Sequence, residues 1–278
     1  MRRGFRAQAH GLASVASAVA LSAMLATSAH SASITELAGK LTIVDEQEVL
    51  LERIVENVCF YDAGIEMEIA RKSAMHALEE FEILNARLDS AVRDLDETSK
   101  AKGRLVRAEK RIKDQWRLFK VHVEQELKPH DASNSMLSLI VGEEEQMVNA
   151  LIRMARTVKK FEQQEKKRQG DKSIGAKVGH FTPAFVAERM VKETCVLAIY
   201  PNSGEDRIKL AEAVEIFSKL SEDPDAVGSP QVREIMLEMR EELPHILSVA
   251  QGGTPDDGLL ERLFKIAHRW EAAAAHES

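Results

Sequence analysis

A segment of this chain recurs at an offset of 136 residues: Glu52-Arg53-Ile54-Val55-Glu56-Asn57-Val58-Cys59 lies over Glu188-Arg189-Met190-Val191-Lys192-Glu193-Thr194-Cys195. The register continues without a gap. Arg71 lies over Arg207, Ala77 over Ala213, Glu79 over Glu215, Phe81 over Phe217 and Leu84 over Leu220. The protein's two cysteines hold the same place in their respective copies. A fixed internal period constrains architecture more tightly than any local motif, because each copy must adopt the same supersecondary unit. Two copies of one module is the natural reading.

The module is helical. Aromatic residues make up only 5% of the chain, while strong helix formers are abundant. Apolar residues recur at three- and four-residue steps, and no stretch shows a period of two. The first helix is expected over about 34–61, with Leu37, Leu41, Val44, Leu51, Val55 and Val58 on one stripe. The second follows from about Ile65 into the nineties. A third runs from about Ser99 to Leu127, and a fourth carries Ile140, Met147, Leu151, Met154 and Val158. Residues 163–179 are basic and glycine-containing without an apolar stripe, as a linker would be. Beyond them, Thr182-Pro183, Ser203, Ser229-Pro230 and Thr254-Pro255-Asp256-Asp257 each announce a helix start, since side-chain oxygens cap the first turn and proline suits its first position. The expected fold is all-α: two tandem four-helix bundles related by the internal repeat, over 30–165 and 181–278, joined by a linker at 166–180. A continuous helical solenoid is the competing arrangement, although solenoids normally need more than two repeats.

The N-terminus starts Met1-Arg2-Arg3-Gly4-Phe5-Arg6 and continues into an uncharged Ala/Ser/Leu/Val stretch from Gly11 to Ala29. Thr27 and Ala29 suit a secretory cleavage site, so residues 1–29 read as a signal peptide and the localisation as periplasmic. An uncleaved membrane anchor is the rival reading of the same stretch. Removing these residues removes three arginines and no acid, which takes the formal net charge from −7 to −10. So acidic a chain is poorly suited to nucleic acid, which rewards basic surface.

Few residues suggest chemistry. Cys59 and Cys195 are either two small core residues or one disulfide, and a bridge would require the first helices of the two copies to face each other. The one Glu-x-x-His pair, Glu242-Leu243-Pro244-His245, contains a proline, so no metal and no cofactor is expected. No phosphate loop or nucleophile elbow occurs, and a non-enzymatic role is expected. Glu143-Glu144-Glu145 reads as the solvated face of the fourth helix. Arg104, Arg107, Lys110, Arg111, Lys113, Arg117 and Lys120 form a basic face on the third, either merely solvated or able to dock on acidic headgroups or a partner. Arg53 and Arg189 each sit among apolar neighbours at matching positions. Such an arginine is held by an internal acid, Glu193 among them, or offers its planar fork to a bound oxyanion.

The run Glu46-Gln47-Glu48-Val49-Leu50-Leu51-Glu52-Arg53-Ile54-Val55-Glu56 resembles the signature of PilJ-type and NarX-like sensor domains, whose usual run is Arg-Gln-Arg-Met-Leu-Ser-Gln-Arg-Met-Ala-Lys. Gln47, Leu50 and Arg53 keep it, as do the apolar Val49 and Ile54. Leu78-Glu79-Glu80-Phe81 and Val214-Glu215-Ile216-Phe217 are similar to the family's second helix. The resemblance implies a four-helix periplasmic bundle that binds a small anion and signals through a membrane-linked module, with Gln47, Arg53 and Arg189 as ligand-binding residues. The family's two earlier arginines fall on Glu46 and Glu48, and on Thr182 and Ala184 in the second copy, which speaks against nitrate. The expected function is a soluble, non-catalytic periplasmic binding protein for a small molecule or anion, or for the periplasmic part of a membrane-bound sensor. A structural or chaperone-like envelope protein is the alternative.

Overall fold

The structure, a computed structural model, describes residues 34–95, 100–128, 135–168, 182–222 and 229–277. The expected signal segment at 1–29 and most of the expected linker lie outside these residues. Among the described residues there are nine helices and no strand. They are α1 (Ile34–Gly39), α2 (Thr42–Asp62), α3 (Met67–Arg93), α4 (Lys102–Glu126), α5 (Leu137–Arg168), α6 (Pro183–Ile199), α7 (Gly204–Leu220), α8 (Pro230–Ala250) and α9 (Asp257–Glu277).

The first expected helix is interrupted. A turn at Lys40 and Leu41 separates α1 from α2, and the amides of Lys40 and Leu41 bond back to the carbonyls of Leu37 and Ala38. The starts in the second copy follow the capping logic. Thr182 accepts from the amide of Phe185 at 3.1 Å, Ser203 from Asp206 at 3.3 Å and Ser229 from Val232 at 3.4 Å. Asp256 accepts from Leu259 at 2.7 Å at the start of α9. Each cap satisfies an amide that the helix itself leaves open. Gly64, at φ 76°, turns the chain between α2 and α3, a conformation glycine reaches without the cost that a side chain would impose.

Within the first copy α2 packs on α3 and α5, α3 on α4, and α4 on α5. In the second, α6 packs on α7, α8 and α9, α7 on α8, and α8 on α9. The two copies join because α2 also packs on α6. Ala32–Ser278 forms one compact unit, so the expected boundary between the copies falls inside it.

The joining helices are the most enclosed in the molecule. Every residue of α2 from Leu50 to Tyr61 is buried, and so is every residue of α6 from Phe185 to Leu197 except Arg189. Burying a side chain the size of Leu51, Ile54 or Phe60 stabilises the fold by about 2 kcal/mol. Aromatic contacts reinforce both the copies and the join. Phe81 stacks on Trp116 with ring centroids 4.0 Å apart in the first copy. Phe60 of α2 meets Phe264 of α9 edge to face at 5.1 Å, across the two copies.

The cysteines are bridged. Cys59 and Cys195 are fully buried, with Cα atoms 6.1 Å apart, inside the range a disulfide spans. The bridge links residues 136 apart, and the Arg53–Glu188 contact near it links residues 135 apart. This near-constant offset means that α2 and α6 run in the same direction and in register.

Candidate functional site

The seam between α2 and α6 carries the molecule's buried charge. Arg53 donates from Nη2 and Nε to Oε1 of Glu188, at 3.0 and 3.2 Å, and both side chains are nearly inaccessible. Burial disfavours the guanidinium charge, but Glu188 and the more distant Glu271 outweigh it and raise the Arg53 pKa. Glu56 stands beside Glu188. Burial, followed by the charge of Glu188 and a hydrogen bond to it, pushes the Glu56 pKa well above the carboxylate range. Burial thus favours the protonated form of Glu56. A narrow cleft at this point is walled by Arg53, Glu56 and Glu188 and closed from α9 by Phe264, His268 and Glu271. Glu271 is held by Ser73 Oγ at 3.3 Å and by His268 Nδ1 at 3.3 Å.

One turn away lies a second cluster. Lys192 is among the largest fully buried side chains. Its Nζ is 2.6 Å from Oε2 of Glu52, 2.9 Å from Oε2 of Glu144 and 3.4 Å from Oε1 of Glu193. Burial works against the ammonium, yet Glu144, Glu52 and Glu193 together hold its pKa above the usual lysine value. Three carboxylates around one ammonium cannot all stay ionised without cost. Burial, aided by the Glu52 charge, pushes Glu144 up to about 8. Burial likewise pushes Glu193 up to about 7. Glu48, further along α2, is raised to about 8 by burial and by the charges of Asp45 and Glu52.

The two clusters hold residues 136 positions apart in sequence. Under the repeat Glu52 corresponds to Glu188, and Glu56 to Lys192. Glu52 crosses to Lys192, and Glu56 crosses to Glu188. The same pair of positions therefore sets Glu52 against Lys192 on one side of the seam and Glu56 against Glu188 on the other. Arg53 and its counterpart Arg189 diverge in the same way. Arg189 is half-buried, its guanidinium lies 5.9 Å from the centre of the Phe185 ring, and its Nε has no hydrogen-bond partner.

The sequence-derived ligand residues are thus not brought together. Arg53 is taken by Glu188, not Glu193. Gln47 is fully buried and donates from Nε2 to Oδ1 of Asn85 at 3.0 Å, on the side of α2 that faces α3. Arg189 stands apart from both. The reading of Glu143-Glu144-Glu145 as a solvated face is corrected: Glu144 is 1% exposed and bound to Lys192, Glu143 pairs with His122 at 2.8 Å, and Glu145 pairs with Lys209. Consecutive helical residues point about 100° apart, so three in a row cannot all face water on a helix packed on two sides. Glu52, Glu56, Glu144, Glu188 and Lys192 were missed as a group. The signal for them was the 136-residue register, which aligns Glu52 with Glu188 and Glu56 with Lys192 in sequence and brings Glu52 to Lys192 and Glu56 to Glu188 once α2 and α6 lie side by side.

A second concavity lies elsewhere. An open groove of about 650 Å³ runs between the start of α3 and the helices α8 and α9. Ile69, Phe264 and Ile266 supply apolar wall, while Glu238, Glu242 and Arg269 stand on its rim. The rim is cross-tied, with Arg262 Nε 2.7 Å from Glu242 and Arg269 paired with Glu234 and Glu238. Among the described residues no group of His, Cys, Asp or Glu is disposed to hold a metal ion, and no helix is long and apolar enough to cross a membrane.

No protein-family model, curated protein or solved structure matches the chain.

Proposed function

We propose that the chain is a non-catalytic binding protein of the cell envelope, built as two tandem four-helix bundles related by the internal repeat. In this reading the bundles are similar to PilJ-type and NarX-like sensor domains, and the ligand seats in the groove between α3, α8 and α9. Each copy's helices close a ring of contacts, as a bundle requires. The disulfide suits an oxidising compartment such as the periplasm. The groove carries the proposal. Its volume is that of a small-molecule site, with an apolar wall from Ile69, Phe264 and Ile266 among many charged side chains. The Arg53 cleft is a poor seat for an anion, because Glu56, Glu188 and Glu271 surround the guanidinium.

Thermal-shift screening of the whole chain against small anions and small amphipathic molecules tests this reading, since a ligand of the native state raises apparent stability by mass action. A stabilising compound should lose its effect in Ile69→Glu and keep it in Arg189→Ala. If the stabilisation instead survives Ile69→Glu and disappears in Arg189→Ala with the fold intact, the ligand is an anion at the seam. A panel that stabilises nothing, together with an envelope partner in pull-down, would leave the structural alternative. The internally paired Arg53 already favours that second reading.

A further inference from the structure

The basic run of α4 is sorted by the fold into two kinds of residue. Lys113 is drawn to Asp89 at 2.9 Å and Glu109 at 2.6 Å, and Lys120 to Glu82 at 2.6 Å. These two belong to the packing of α4 on α3. Arg104, Arg107, Lys110, Arg111 and Arg117 are exposed. Arg104 lies over the Phe161 ring, and no ion pair engages the other four among the described residues.

At 100° per residue, positions 104, 107, 110, 111, 114, 117, 118 and 121 fall within one arc of less than half the helix circumference. That arc holds five cations and a single acid, Asp114. Leu118 and Val121, 59% and 52% exposed, stand in the middle of it, and Val106, 41% exposed, at its border. The opposite face, with Leu105, Ile112, Trp116, Phe119 and Val123, is fixed in the core. The result is a rigid, single-helix surface of strongly positive charge with aliphatic side chains interleaved, on a chain whose net charge is −7.

We propose that this outer face of α4 docks on an anionic lipid surface. The charge selects an anionic partner. Grouped cations are attracted to acidic headgroups, and a basic helix face of this kind gains affinity from each lysine or arginine near the surface. The aliphatic residues favour a bilayer over an acidic polypeptide. Leu118 and Val121 project from the same arc as the cations, where they enter the headgroup boundary while the cations stay at the phosphates. The exposed positions of this face run from Arg104 to Val121, about 26 Å of helix. The docking is independent of the groove, and would hold the groove-bearing unit against the membrane.

Flotation of the full chain with vesicles tests this directly. One set is phosphatidylcholine alone and the other carries about one quarter phosphatidylglycerol. The chain should float with the anionic set and be released by salt. Arg107→Gln, Lys110→Gln, Arg111→Gln and Arg117→Gln together should weaken partition by about a hundredfold or more, with circular dichroism unchanged. Leu118→Ser with Val121→Ser should weaken it further at raised salt, where the aliphatic contribution dominates. Comparing full-length variants holds any contribution of the N-terminal segment constant. The proposal is overturned if the charge variant floats as well as the parent. It is overturned equally if a soluble polyglutamate peptide binds the parent and strips it from vesicles with no dependence on Leu118 and Val121, which would make an acidic polypeptide the partner.

Discussion

Lys192 is the one cation at the centre of three buried carboxyl groups among the described residues. Its ammonium lies against Glu52, Glu144 and Glu193 with no route to solvent. Removing the cation leaves a buried acidic group with nothing to balance it, so Lys192→Met should cost about 3–5 kcal/mol in urea unfolding. The loss should be largest above about pH 8, and should shrink as pH falls through about 8 and 7, where Glu144 and Glu193 take up protons and need no counter-charge. A Lys192→Met chain that is equally destabilised at all pH values would show that lost packing, rather than lost charge, governs the site. Glu48 makes a separate contribution. Its pKa rises from 4.5 to about 8 on folding, chiefly through burial. The folded chain thus holds a proton that the unfolded chain releases. The stability tied to this group is fully present below 4.5 and is lost as pH rises through about 8. A tenfold difference in proton affinity between the folded and unfolded chain corresponds to about 1.4 kcal/mol. Each kcal/mol moves Tm by about 2–4 °C at this size. The Tm should therefore fall by several degrees from mildly acid to mildly alkaline pH. Glu48→Gln should flatten the slope, and an unchanged slope would place the titration elsewhere.

At the scale of the element, the helices themselves were legible. Periodicity placed them, and Thr182, Ser203, Ser229 and Asp256 located the starts of α6 to α9, because a cap is written in neighbouring residues. The interruption at Lys40 and Leu41 was not, since neither residue is a breaker and the apolar stripe runs on through Leu41 and Val44. Pro244 lacks an amide but is accommodated within α8, which runs unbroken from Pro230 to Ala250. The larger omission was the environment of α2 and α6. Arg53 stands among apolar neighbours in the sequence, but nothing local marks Glu52 or Glu56 as buried. The partners of Arg53 and Glu52, Glu188 and Lys192, arrive from more than a hundred residues away. Charge burial is a property of pairs, and the pairs here follow only once the first helices are set side by side. The cysteines stated that condition without deciding it. The candidate ligand residues failed to converge for the same reason: Gln47 and Arg53 point to different neighbours, Asn85 and Glu188, around a helix that is enclosed on every side.

At the scale of the molecule, the question is whether two copies fold as two domains or as one. The proposed two-bundle reading argues for two, since α2 to α5 and α6 to α9 each contact one another in turn. The seam argues for one: α2 and α6 are each other's core, their charges are satisfied across the join, and a disulfide spans 136 residues. In the chain-entropy account a loop that long stabilises the fold by about 5 kcal/mol, and typical measured values are about 2–4 kcal/mol. Separating the copies would take Glu52 and Glu144 from Lys192 and Glu188 from Arg53, so neither copy should stay folded once the other has unfolded. The protein's two tryptophans provide the test, one in each copy: Trp116 against Phe81, and Trp270 buried in α9. In Trp270→Phe the fluorescence reports the first copy alone, and in Trp116→Phe the second. Each variant should show its fluorescence transition in urea coincident with loss of helical circular dichroism, in a single step. With Cys59→Ser and Cys195→Ser added, the midpoints should fall while the two signals stay coincident, because packing and charge still couple the copies. A fluorescence transition that separates from the loss of helix in either background would mean that the copies unfold independently, and that the seam is an interface between domains rather than a shared core.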